Sequence, residues 1–260
     1  MVKVMIFDTH AHYMDEAFAQ DRDELLASMK DAGVGTIVEV GASISSTKDA
    51  VALSRQYDFV YGAVGVHPED VEHMTPETVE WLKELTKEPK IVAVGEIGLD
   101  YYYEDPTRQV QKEWFIRQLE AAKEMKMPVI IHSRDAAQDT LEIMEEHCDW
   151  SQGGVIHCFS YSVEMARIYL KKGFYLGIGG VVTFKNGRKL VGVVKEAPLE
   201  QLVLETDSPY LTPVPNRGKR NDSRQLTHVV DAIAQIKGIS REEVIRVTEQ
   251  NARRMYRIRG

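Results

Sequence analysis

Short apolar runs of strand composition alternate along the chain with segments whose apolar positions recur every three or four residues. Strands are expected over residues 2–7, 36–40, 60–66, 91–94, 129–131, 155–156, 174–178 and 202–204. Helices are expected over 21–32, 47–56, 76–86, 109–125, 136–146 and 163–171, with a C-terminal helical region over 224–236 and 241–256. Leu25, Leu26 and Met29 mark the inner face of the first helix, Gly33 stops it, and Thr75 stands as an N-cap before Pro76. Eight strands separated by helices imply parallel pairing through right-handed crossovers, in an open doubly wound sheet or a closed barrel.

The polar residues that interrupt this pattern decide between the two. His10 and His12 follow the first apolar run, Glu96 follows the fourth, and His132, His157 and Asp207 follow the fifth, sixth and eighth. Only a closed ring brings the ends of those five strands over one mouth, where barrels carry their catalytic groups. The length, 260 residues, also fits one barrel of about 250 residues better than two average domains. The expectation is therefore a single α/β domain over residues 1–260, a (β/α)8 TIM barrel with its site at the carboxyl ends of the strands.

Charge and cysteines narrow the class. The net charge of -8 opposes a broad cationic surface for nucleic acid, yet Arg217, Lys219, Arg220 and Arg224 form a local basic cluster. Cys148 and Cys158 are too few for a disulfide framework. The apolar segment before Asp8 is too short for a signal peptide, and no run of about 18 apolar residues occurs, so a cytoplasmic protein away from the membrane is expected.

The candidate chemistry is that of a metal centre. In extended backbone His10 and His12 project to one face, and together with Glu96, His132, His157 and Asp207 they make a mixed imidazole and carboxylate set. Six ligands exceed the three that a catalytic zinc usually takes but suit two ions about 3.5 to 4 Å apart, with Glu96 the natural bridge. Zn, Mn, Ni and Mg all suit such donors. Asp207 is the candidate proton acceptor and Glu96 the second catalytic carboxylate. His67 reads equally as a turn residue before Pro68 or as a substrate contact, whereas Arg217 is placed for phosphate, its planar guanidinium able to hold two oxygens. Tyr101 to Tyr103 offer faces for base stacking, with core or rim packing of at least two of the three the weightier reading. Cys158 reads as a small buried hydrophobe, and Arg134 as a partner of Asp100 or Asp135 or as a substrate contact.

Five motifs across the chain carry a family resemblance: Asp8-Thr9-His10-Ala11-His12, Gly95-Glu96-Ile97-Gly98-Leu99-Asp100, Ile131-His132-Ser133-Arg134, Ile156-His157-Cys158-Phe159-Ser160 and Glu205-Thr206-Asp207-Ser208-Pro209. The sequence resembles the TatD-type metal-dependent deoxyribonucleases of the amidohydrolase-like barrel superfamily. The resemblance implies a metal-dependent phosphodiesterase acting on DNA, with single strands or ends as substrate and no obligate protein partner. It places His10 and His12 on one ion, His132 and His157 on the other, Glu96 between them and Asp207 beside the nucleophilic water. It equally admits a D-aminoacyl-tRNA deacylase or a small-molecule amidohydrolase on the same barrel, and a metal-binding scaffold is the non-enzymatic alternative. The chain departs from the family at His67-Pro68-Glu69, where a second histidine is common, and at Asp222-Ser223-Arg224 after Arg217-Gly218-Lys219-Arg220-Asn221.

Overall fold

The structure is a computed structural model that describes residues 4–259. Its strands are β1 (Ile6–Ala11), β2 (Val34–Val40), β3 (Val60–Val64), β4 (Ile91–Asp100), β5 (Val129–Arg134), β6 (Gly154–Ile156), β7 (Tyr175–Ile178) and β8 (Leu202–Leu204). Its α-helices are α1 (Arg22–Ala27), α2 (Ile44–Gln56), α3 (Pro76–Leu85), α4 (Arg108–Met125), α5 (Ala137–His147), α6 (Val163–Lys171), α7 (Arg188–Glu196), α8 (Leu226–Lys237) and α9 (Arg241–Met255). The eight strands follow one another in chain order in one sheet, the topology of a (β/α)8 barrel.

The chain divides into two compact units, one formed by Met1–Glu39 with Cys158–Gly260 and the other by Val40–His157. In the first unit β1 pairs in parallel with β2, and β7 with β8. A parallel bridge between Ala11 and Ser208 sets the end of β1 beside the segment that follows β8. In the second unit β3, β4, β5 and β6 pair in parallel in that order.

Several expected boundaries shift, each for a local reason. Part of the first expected strand, residues 2 and 3, lies outside the described residues, and β1 continues through Asp8 and His10 instead of stopping at Phe7. Likewise β4 runs through Glu96 to Asp100 and β5 through His132 to Arg134. His10, Glu96 and His132 therefore sit inside strands rather than after them; a polar residue does not end a strand when its backbone still pairs.

The first helix ends at Ala27, well short of residue 32, where the Ser28 hydroxyl donates to the Leu25 carbonyl at 2.7 Å and Gly33 adopts φ +86°. The second helix begins earlier than expected, because Ser43 and Ser46 close a capping box ahead of it. Thr75 caps α3 as expected, accepting from the Thr78 N–H. Helix α7 lies in a stretch for which no helix was expected: its Val191, Val193 and Val194 around Gly192 have strand-like composition, yet Leu190, Val193 and Val194 are buried and decide the outcome.

Two features explain how the framework of the site is held. Gly98 has φ +150°, and a Cβ there would lie 1.9 Å from the carbonyl oxygen of His132, so only glycine lets β4 approach β5 here. Glu39, at the end of β2, accepts the backbone N–H groups of Tyr13 at 2.7 Å and Met14 at 3.0 Å, fixing the turn that follows β1. Burial pushes its carboxyl up to about 7, against the pull of His12 and of those two donors.

Gly98→Ala is accordingly expected to cost about 3 kcal/mol or more, lowering Tm by roughly 6 to 12 °C in a thermal melt. For Glu39 the folded protein keeps a proton that the unfolded chain releases above its ordinary pKa of 4.5. The resulting stabilisation is full below pH 4.5 and is lost as pH rises to about 7. Glu39→Gln removes that titration but also one of two acceptors, so the variant is expected to be less stable at pH 5 and to lose less stability between pH 5 and 8. Urea unfolding with chelator at both pH values checks this; an unchanged slope contradicts it.

Candidate metal centre

In the first unit the site begins with β1. The Nε2 atoms of His10 and His12 lie 3.1 Å apart with the rings edge-on, as their i, i+2 spacing predicts. Asp207 Oδ1 stands 3.8 Å from His10 Nε2 and 3.5 Å from His12 Nε2. Its backbone N–H donates to the His10 carbonyl at 3.0 Å, and its φ of 55° lies in the left-handed region, which aspartate enters more readily than most residues.

Asp8 underlies these three. Its Oδ1 accepts from the backbone N–H of His10 at 3.2 Å and of Thr206 at 3.0 Å. Its Oδ2 accepts from the hydroxyls of Thr206 at 2.7 Å and Ser223 at 2.6 Å. The carboxyl is fully buried, and burial pushes it up to about 7 in spite of these donors.

In the second unit Glu96 is the centre. Its Oε1 lies 2.8 Å from His132 Nδ1, 3.7 Å from His157 Nε2 and 3.9 Å from His67 Nε2. The other ring nitrogen of His132 is 2.9 Å from Asp100 Oδ2. Burial would lower the His132 pKa, but hydrogen bonds to Asp100 and Glu96 outweigh it and lift the imidazole to about 9. Burial likewise pushes Asp100 upward, yet the bond to His132 holds that carboxyl below its usual range.

Both clusters fit divalent cations by the chemistry of their donors. Each joins imidazole nitrogens to carboxylate oxygens, the ligand types of Zn, Mn and Ni and, with more water, Mg. The facing Nε2 atoms of His10 and His12 can share one proton between them, whereas a cation accepts both lone pairs. The elevated His132 pKa reports the same property, a local field that favours positive charge. Ligand, carboxylate and outer hydrogen bond in the order Glu96, His132, Asp100 form the arrangement that orients metal-bound imidazoles.

His10, His12 and Asp207 thus come together, as do Glu96, His132, His157 and His67. His67 also caps the 3-10 helix Pro68–His73, its Nδ1 accepting from the Glu69 N–H at 3.2 Å, so it has the expected turn role and a place in the cluster. Arg217 is in neither cluster: it is exposed, with its guanidinium 4.1 Å from the centre of the Phe184 ring. Within the basic cluster, Arg220 forms a two-point ion pair with Asp21 and Arg224 one with Asp222, so their charge is largely spent inside the protein. Cys158 is half-buried rather than buried, and its N–H donates to Glu205 Oε1 at 2.5 Å from a φ of 43°.

Asp8 and Asp100, which hold these clusters by hydrogen bonds, were not among the residues singled out from the sequence. Both stand inside the motifs above, and their signal was an acid buried among strand residues, Asp8 two positions before His10 and Asp100 at the far end of the glycine-flanked Glu96 segment.

A family model for TatD-related DNases matches residues 7–257. The chain is 44% identical over 254 residues to the uncharacterized metal-dependent hydrolase YabD of Bacillus subtilis, covering 98% of this chain and 100% of that one. It is 33% identical over 259 residues to the 3'-5' ssDNA/RNA exonuclease TatD of Escherichia coli, covering 97% and 99%. The crystal structure of the TatD homologue YjjV from Escherichia coli superposes with a TM-score of 0.92 at 30% identity over the full length of both chains. Sequence motifs, ligand geometry and full-length similarity agree, and the chain belongs to the TatD family of metal-dependent hydrolases, enzymes that act on ester bonds.

Proposed function

We propose that this protein is a metal-dependent deoxyribonuclease that cleaves phosphodiester bonds at the ends of single-stranded DNA, in the cytoplasm. The observation that carries the reading is the convergence of imidazole and carboxylate donors in each of the two clusters. The relatives described as 3'-5' ssDNA/RNA exonucleases support the substrate class. Among the described residues no helix is long and apolar enough to cross a membrane, which agrees with the proposed location.

His10, His12 and Asp207 are proposed to hold one ion, and Glu96, His132 and His157 a second where two are bound. When bound, such ions polarise phosphate oxygens and supply a nucleophile at neutral pH. Asp207 is the proposed general base. Its side chain is partly exposed, at 19%, while the two imidazoles beside it are held by a strand and its end, so water reaches the carboxylate in a fixed frame. It accepts one proton of the attacking water as the new P–O bond forms, and the ester oxygen on the opposite side leaves as the old P–O bond breaks, taking a proton from solvent. Asp100 orients His132 through its second ring nitrogen. His67, beside Glu96 and His132, and Arg217, exposed over Phe184, are proposed to contact substrate phosphates.

A panel of single-stranded DNA, single-stranded RNA, D-aminoacyl-tRNA and cyclic amides, each with added Mg or Mn, tests the reading. Ion-dependent release of nucleotides from DNA ends, abolished by chelation, is expected. Full activity in chelator, or turnover confined to aminoacyl esters or amides, would refute it. Asp207→Asn is expected to depress kcat by roughly 100- to 10,000-fold at matched metal occupancy. His132→Ala should instead weaken metal affinity, with activity partly restored by excess ion. Near-native kcat in Asp207→Asn would make that residue a replaceable ligand and move the base elsewhere.

A further inference from the structure

The segment after β4 exposes aromatic surface directly beside the second cluster. Tyr102 and Tyr103 are 58% and 50% exposed, with ring centres 4.9 Å apart and planes at 88°. The Arg134 guanidinium lies 3.8 Å from the centre of the Tyr102 ring and 5.8 Å from that of Tyr103. Tyr101, by contrast, is used internally: its hydroxyl donates to Asp139 at 2.6 Å and Arg108 covers its ring at 4.3 Å. Tyr101 is thus packed within the protein, whereas Tyr102 and Tyr103 pack on each other and on Arg134 while keeping about half of their surface open.

The exposed pair is firmly attached to the site. The Tyr102 N–H donates to Asp100 Oδ1 at 2.9 Å, and Asp100 Oδ2 bonds His132 Nε2 at 2.9 Å. One carboxylate thus connects the aromatic surface to a proposed metal ligand. Arg134 pairs with Asp100 in the β4–β5 register and accepts the Tyr101 N–H at its carbonyl, so the guanidinium comes from a strand and not from a loop. Its Nη1 remains 4.0 Å from Asp100 Oδ2, leaving the planar cation over the ring and half open to solvent.

We infer that Tyr102, Tyr103 and Arg134 form a stacking platform for an unpaired nucleobase next to the scissile phosphate. The inference rests on the nuclease reading for its substrate class. Two exposed tyrosine faces with a guanidinium stacked on one combine the base-stacking and cation–π contacts that hold single strands without sequence preference. A positive charge at the same edge suits the phosphodiester backbone attached to that base. Bases inside a duplex have both faces covered by their neighbours, so the platform favours unpaired bases over paired ones.

Binding of fluorescein-labelled decathymidylate is compared with that of a decamer carrying abasic tetrahydrofuran sugars. Both have phosphorothioate backbones that resist cleavage, and Mn is present. The wild type is expected to bind the base-bearing strand at least about 10-fold more tightly. Tyr102→Ala should reduce that ratio to near unity without lowering Tm, Tyr102→Phe should keep it, and affinity for the abasic strand should not move. Equal wild-type affinity for the two strands, or equal weakening of both by Tyr102→Ala, would overturn the platform. Cleavage of ordinary decathymidylate by the wild type is scored separately. A base preference without cleavage leaves the platform standing and removes the nuclease reading, whereas cleavage without base preference does the reverse.

Discussion

A single buried carboxylate holds the first cluster together. Asp8 receives four hydrogen bonds, from the backbone of His10, from the backbone and hydroxyl of Thr206, and from the hydroxyl of Ser223. Those donors come from β1 itself, from the segment after β8 and from the approach to α8, the last two 198 and 215 residues from Asp8 in sequence. Burying a carboxylate without compensation is costly, and here each donor that offsets the cost also fixes a piece of backbone. The Thr9 hydroxyl donating to the Leu204 carbonyl at 2.9 Å and the Tyr256 hydroxyl donating to the Thr9 carbonyl at 2.9 Å extend the same fastening to α9.

The ligand geometry follows from this fastening. With β1 and the segment after β8 locked together, the Asp207 N–H meets the His10 carbonyl, and the carboxylate is presented to His10 and His12 from a left-handed backbone. The second half uses a different device with the same result. There the close approach of β4 to β5 at Gly98 sets Glu96 and Asp100 on either side of His132, each occupying one ring nitrogen. In both clusters an imidazole is carried by strand backbone, and in the second the carboxylates of Glu96 and Asp100 fix the orientation of His132.

Much of this was legible in the sequence, and the rest was hidden for physical reasons. Short apolar runs alternating with helical periodicity marked all eight strands, because burial of strand and helix faces is the dominant constraint on such a chain. The clustered histidines and acids were visible because such residues at the ends of apolar runs are expensive unless they have partners. The pattern was blind to backbone pairing, so it stopped β1, β4 and β5 at the first polar residue, although Asp8, Glu96 and His132 continue their ladders. It was blind to α7, whose valines favour a strand until packing overrides them. Asp8 and Asp100 escaped because their role is to accept hydrogen bonds from groups far along the chain or around a neighbouring ring, which no local spacing records. The loops were least legible: Arg220 and Arg224 looked available for phosphate, and only the coordinates show Asp21 and Asp222 holding them.

The claim on which the account depends is that these imidazoles and carboxylates are metal ligands and not merely a buried polar network. Calorimetric titration of chelator-stripped protein with Mn tests it most directly, with the double variant His10→Ala/His12→Ala and the single variant His132→Ala alongside. The account predicts saturable binding of one or two ions by the wild type, weakened in each variant while both remain folded. Absence of saturable binding by the folded wild type, or binding that survives unchanged in both variants, would contradict it.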